Sequence, residues 1–397
     1  MYLYDLLVKG GRVFDPASGK DEELDIGITG HTIVAIEKDI PRANARQVVE
    51  ARGYLVTPGF IDLHAHVADG ITRHGLAPDR AGVLQGVTTI VDGGSLGSHT
   101  FLGFRRYVLP ANRTTVYAFL NLSYSGQARM PELRSLDDLD EETLELVLRT
   151  NRDVIKGIKV RCVSPMVHTI GATIADIAHR FARVIGGRVM VHIGDHGGAM
   201  EAQAVTERVI ERLEPGDIIT HPYTPWPGGA IGDNGRPIIA ARDAAQRGVV
   251  IDVGRGRMNF SLKKTRQALE AGFWPTTIST DISLMTIHGP VFGLADTASI
   301  FLNLGLDLRD VIVRITANPA KALGIFEQVG SIECGKRADL SIIDYRDGGQ
   351  YEFFGFEEER MTGDKLLVPV ITVKDGCIVP CELPYGSAMH RAAQGKA

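Results

Sequence analysis

The pattern of apolar and polar positions changes twice along the chain. Up to residue 57, short β-type runs, "YDLLVKGGRVFD", "LDIGITGHTIVAIEKD" and "ARQVVEARGYLVTPGF", are punctuated by Gly-Gly, Thr-Gly-His and Arg-Gly, the pattern of hairpins. Beyond it, apolar β-type runs ("FIDLHAH", "GVTTIVDGG", "TVYAFLNLS", "VIKGIKVRCV", "RVMVHIGD", "DIITHPY", "GVVIDVG", "TTISTDIS") alternate with helical stretches such as "DEETLELVLRTN", "GATIADIAHRFARVI" and "SLKKTRQALEAG". Strands buried on both faces and interleaved with helices predict a parallel sheet. Eight of them over roughly 250 residues predict a (β/α)8 TIM barrel. Near "VGSIECGKRADLSIIDYRDG" the hairpin texture returns. The expected fold is therefore α/β. A barrel spans 58–325, residues 1–57 and 326–384 together build one small β-sandwich domain, and 385–397 form a frayed tail.

Composition changes this picture little. The chain has 397 residues, 44% of them hydrophobic, enough for a large core, and a net charge of -5 gives no reason to expect nucleic acid. Cys162, Cys334, Cys377 and Cys381 form no CxxC pair, so reduced thiols are expected. The first residues lack the n- and h-regions of a signal peptide, and no apolar run reaches the ~18 residues that span a bilayer. The expectation is a cytoplasmic protein with no membrane partner, forming a homo-oligomer and acting on a small molecule.

Chemistry enters at the strand ends, where barrels of this kind carry their sites. His64 and His66 close the first run, His192 closes "RVMVHIGD", His221 closes "DIITHPY" and Asp281 closes "TTISTDIS", while Lys159 lies near the end of "VIKGIKVR". Positions i and i+2 of a strand face one side, so His64 and His66 can point together into the mouth. Each residue alone has an ordinary explanation: a bonded histidine, a helix-capping Asp281, a snorkelling Lys159. All six at one end of one barrel point to a site for zinc or its first-row neighbours. Lys156 is the alternative to Lys159; being three apart, the two face opposite sides.

"PGFIDLHAHV", the lysine strand, "VHIGD", "ITHPY", "STDIS" and "TANPAKALGI…VGSIECGKRADLSIID" resemble the amidohydrolase superfamily over nearly the whole chain, and within it the dihydroorotase and hydantoinase group. "GIKVR", "HIGD" and "DVG" are similar to the deacetylase branch acting on acetyl-(R)-mandelate and N-acetyl-D-amino acids. The resemblance implies two divalent metal ions, usually Zn2+, with a CO2-derived carbamate on Lys159 bridging them. His64, His66 and Asp281 would hold one ion, His192 and His221 the other. Asp281 would also be the general acid/base for a metal-activated water. The implied activity is metal-dependent hydrolysis of an amide or ester of a small carboxylate-bearing substrate, first a deacetylase, second a cyclic amide hydrolase. A non-catalytic barrel that serves as an assembly partner would be expected to lack ligands, and a mononuclear deaminase to lack the lysine.

One stretch departs from that branch. Where a glycine-flanked histidine would follow "DVG", the chain reads "DVGRGRMNFS". Arg255 and Arg257 there, Arg161 two residues past Lys159, and His288 are candidates for binding the substrate carboxylate. The long Gly/Pro-rich loop after His221 either covers the site or merely connects.

Overall fold

The computed structural model describes residues 2–394. Seven parallel strands are hydrogen-bonded in chain order: β1 (Phe60–Ala65), β2 (Val87–Asp92), β3 (Thr115–Asn121), β4 (Ile155–Arg161), β5 (Arg188–His192), β6 (Ile218–Thr220) and β7 (Val250–Asp252). The expected eighth strand is reduced to two isolated parallel bridges, Asp252 with Thr277 and Ala65 with Ile282. Backbone bonds such as Arg255 N–H to the Ser279 carbonyl (3.1 Å) and His66 N–H to the Ile282 carbonyl (2.8 Å) still join the segment to both neighbours, and side chains add to them. Thr277 and Ser279 both donate to Asp252 at 2.7 Å, and Thr280 donates to Asp62 at 2.5 Å. The result is a nearly closed TIM-barrel-like α/β fold. Its helices include Glu141–Thr150, Thr173–Ala182, Ala202–Glu211, Ile239–Arg247 and Leu262–Glu270, where the helical periodicity predicts them.

Strand parity separates inside from outside. Val91, Phe119, Met190, Ile218 and Val250 meet in one cluster with Leu323 and Ile325, while Ile90, Leu120, Val191 and Ile251 belong to the cluster that contains the helices. On β1 the phase breaks. Ile61 and Leu63 lie in the inner cluster and Ala65 in the outer, yet His64 also turns inward. The register between β1 and β2 shifts between Asp62 and Ala65, and such a bulge re-aims the residues after it.

Strands from both ends of the chain form one eight-stranded sheet, with Leu55–Pro58 lying between Tyr4–Asp15 and Leu340–Phe354. This corrects the expected sandwich, which needs two packed sheets. Leu55 and Ile343 instead pack into the barrel's outer cluster, while their neighbours Val56 and Ile342 pack with Leu6, Val8 and Ile26. Gly59 alone separates the sheet strand from β1, and a Cβ there would come within 2.3 Å of Thr88. The C-terminal segment differs from the expected tail: helix Ala388–Gln394 is docked, with Met389 1% exposed. Among the described residues, no helix is long and apolar enough to cross a membrane.

Candidate metal centre

The C-terminal ends of the strands bring His64, His66, Lys159, His192, His221 and Asp281 together. His64 Nε2 lies 3.5 Å and His66 Nε2 2.9 Å from Asp281 Oδ1. One ligand atom from each of these three residues falls within 4.8 Å of the others. Lys159 Nζ is 3.2 Å from His64 Nε2. The ring of His221 is 5.1 Å from that of His64 and 4.2 Å from that of His192.

Partners behind the rings set which nitrogen faces inward. The Thr220 hydroxyl donates to Asp252 at 2.9 Å and so accepts from His64 Nδ1 at 2.9 Å. His221 Nδ1 donates to the Gly254 carbonyl at 2.5 Å. In a neutral imidazole the other nitrogen then carries a lone pair, and burial keeps these rings neutral. It pushes His221 down to about 3 and holds His64 and His192 well below the ordinary histidine value. The Nε2 atoms of His192 and His221 are buried without a hydrogen-bond partner among the described residues. The inward lone pairs of His64 and His221, oriented from behind, suit a cation.

Asp281 and Lys159 are both displaced downward, for different reasons. Burial alone would raise Asp281, but His64 and His66 draw it far below the carboxylate range. Burial pushes Lys159 down to about 7; its partners are His64 Nε2 and Met190 Sδ, neither of them an anion. Lys156 lies nearer the start of β4, away from the centre, with its Nζ 4.3 Å from the centre of the Tyr117 ring. Backbone strain collects here too: His221 has φ 69° and Asp281 φ 52°, conformations that non-glycine residues hold only when their surroundings enforce them. At Gly93 a Cβ would lie 2.0 Å from His64, and at Gly94 2.4 Å from Lys159, so the "GG" after β2 gives these side chains their room.

The centre opens into a cleft of about 240 Å³ lined by His64, His66, Lys159, His192, Asp281 and, among others, Arg161 and Arg257. His221 sits behind this wall. Arg161 is held by Glu132 at 3.1 Å. Two candidates do not reach the cleft. Arg255 is 1% exposed and turns away, bonded to Asp296 at 2.6 Å and to the carbonyls of Pro290 and Phe354 at 2.8 Å each. His288 is exposed beside Arg80, 3.4 Å from its guanidinium. Sequence reasoning missed His74 and Asn259 on the cleft wall. Of the loop after His221, Trp226 stacks near His196, 5.2 Å between ring centres.

The sequence profile of the amidohydrolase family matches residues 55–379. The chain belongs to the amidohydrolase family. A deacetylase of Agrobacterium fabrum is 32% identical to it over 334 residues, 83% of this chain and 80% of that protein. The fold of this amidohydrolase superposes on a dihydroorotase crystal structure with a TM-score of 0.85 and 28% identity, covering 96% of this chain and 99% of that one. For an adenine deaminase crystal structure the values are 0.86 and 26%, over 95% and 100%. This amidohydrolase is a metal-dependent hydrolase of the superfamily's deacetylase branch, and its His64–His66–Asp281 cluster is suited to a metal ion.

Proposed function

We propose that this amidohydrolase is a deacetylase acting on an N-acetyl-D-amino acid or an acetylated 2-hydroxy acid. The observation that carries the reading is that Arg161 and Arg257 line the same small cleft as Asp281 and Lys159, so a carboxylate can be held beside the reacting bond. The deacetylase relatives support the choice of acyl group.

His64, His66 and Asp281 would hold one divalent ion, His192 and His221 a second, with Lys159 between them as its carbamate; zinc suits this donor set. Bound there, the ions would polarise the scissile carbonyl and bring the pKa of a water to about 7. The residues of the chain do the rest. Arg161 and Arg257 orient the substrate through its carboxylate. Asp281 takes a proton from the attacking water and returns it to the leaving group. A neutral, buried Lys159 amine can take up CO2, releasing one proton, and so becomes an anion beside the histidines.

The test is a panel of N-acetyl-D-amino acids, acetylated 2-hydroxy acids, hydantoins and dihydroorotate, run on wild type and Asp281→Asn. Deacetylation should dominate, and Asp281→Asn should lose roughly 10²–10⁴-fold in kcat. Turnover confined to the cyclic amides would favour the second reading, a dihydroorotase-like ring opening, which the likeness to the dihydroorotase structure supports.

A further inference from the structure

We propose that Asn259 is a positioning residue for Asp281, fixing which carboxylate oxygen handles the proton in transit. The inference rests on the hydrolytic reading of the cleft given above. Asp281 divides its oxygens: Oδ1 faces His64 and His66, while Oδ2 accepts from Asn259 Nδ2 at 3.3 Å. Asn259 Oδ1 in turn accepts from His196 Nε2 at 2.7 Å. The chain has one consistent direction. An ionised carboxylate only accepts, so the amide must turn Nδ2 toward Asp281 and Oδ1 toward His196, and His196 must carry its proton on Nε2.

Two further contacts hold the surroundings of the amide in place. Trp226 Nε1 donates to the carbonyl of Met258, the residue before Asn259, at 2.8 Å, and the same indole packs against His196. Gly256 gives Oδ2 its room, since a Cβ there would lie 2.4 Å from it and 3.2 Å from Asn259 Nδ2. Asn259 itself lines the cleft and is 5% exposed. Without the Nδ2 donor, the carboxylate of Asp281 could turn about its last bond and exchange its two oxygens.

The consequence depends on the leaving group. When an amide is cleaved, the C–N bond breaks with its electron pair on nitrogen, and the proton that Asp281 took from water must reach that nitrogen. An activated phenyl ester releases a stable phenolate and needs no such delivery. A misdirected Asp281 should therefore slow amides selectively, by about 10–100-fold for a displacement near 1 Å.

The experiment compares wild type, Asn259→Ala and Asn259→Asp on an N-acetyl-D-amino acid and on a phenyl acetate. Asn259→Asp keeps the size and replaces the donor by an acceptor, so it carries the test if Asn259→Ala does not fold. Expected are a loss of about 10–100-fold in kcat on the amide, a small change on the ester, little change in KM, and wild-type metal content. In the metal-free protein, ¹⁵N spectra should show His196 as the Nε2–H tautomer, and Asn259→Ala should lose that single tautomer. Equal losses on both substrates, an unaffected amide rate or an unchanged His196 signal would overturn the positioning role. A wild-type enzyme inactive on the whole panel would instead overturn the proposed function, and the positioning role with it.

Discussion

The rings of His192 and His221 meet edge to face, 4.2 Å between centres, and both Nε2 atoms are buried with no hydrogen-bond partner among the described residues. Two buried, unpartnered ring nitrogens side by side are costly unless a cation takes their lone pairs. The purified enzyme should bind about two divalent ions per chain, and His192→Ala or His221→Ala should each lose about one. Stripping the metal should lower Tm, and excess zinc should restore it, since a ligand that binds only the folded state stabilises it. Elemental analysis finding one ion or none in zinc-replete wild type would sink the two-ion reading.

Lys159 and Lys156 separate cleanly in space, so their variants should separate too. Lys159→Ala should abolish most activity and shed metal, with partial rescue by a short carboxylic acid that can stand in for the bridge. Lys156→Ala removes only a cation near Tyr117 and should keep near wild-type turnover. The reverse pattern would show that the bridging role had been given to the wrong lysine.

Arg255 and Arg257 should fail in different ways. Arg255 forms a buried pair with Asp296, their side chains 1% and 3% exposed. Arg255→Met strands that carboxylate, and losing one partner of such a pair costs about 3–5 kcal/mol, readable as a lower urea midpoint. Arg257→Ala should leave the midpoint unchanged and raise KM for carboxylate substrates. An unfolding midpoint insensitive to Arg255→Met would refute the structural role.

His179 supplies a pH signature far from the cleft. Its Nε2 bonds to Asp217 at 2.6 Å, and that bond raises the histidine pKa above its ordinary value. A raised pKa means the folded state favours the proton. The extra stability is full below the unfolded value near 6.5 and disappears as pH rises past the folded one. His179→Gln should therefore lower Tm more at pH 5.5 than at pH 8.5. Equal decrements at both pH values would exclude the linkage.

The six-residue centre was legible because period-2 strands end where barrel chemistry sits, and a strand end is visible as an apolar run giving way to a polar residue. The same logic misplaced Arg255. Gly254 and Gly256 both have positive φ, 48° and 54°, and the turns they make send Arg255 under Phe354 while Arg257 stays at the cleft. The bulge on β1 was invisible, because a one-residue register shift leaves no mark in the sequence. The eighth strand read as β-type from its threonines and isoleucines. In the structure, Thr277, Ser279 and Thr280 turn their hydroxyls to Asp252 and Asp62, and the segment bonds to both neighbours through scattered backbone contacts rather than a regular ladder. Hairpin texture at the two ends revealed strands but not the number of layers, which depends on what each face packs against. Asn259 carried no signal at all, since a single asparagine in a loop is ordinary until its partners are known.

The shared sheet has a consequence for the order of synthesis. Pro58 pairs with Leu340, and nearly the whole barrel is translated between them. At about 5–20 residues per second the strand Leu55–Pro58 waits roughly 15–60 s on the ribosome for its partner. Throughout that interval one edge of the nascent sheet presents unpaired backbone groups, a template for any other extended chain. The enzyme's yield in a cell should therefore depend on chaperones that shield this edge, and on the speed of the codons that separate the two strands.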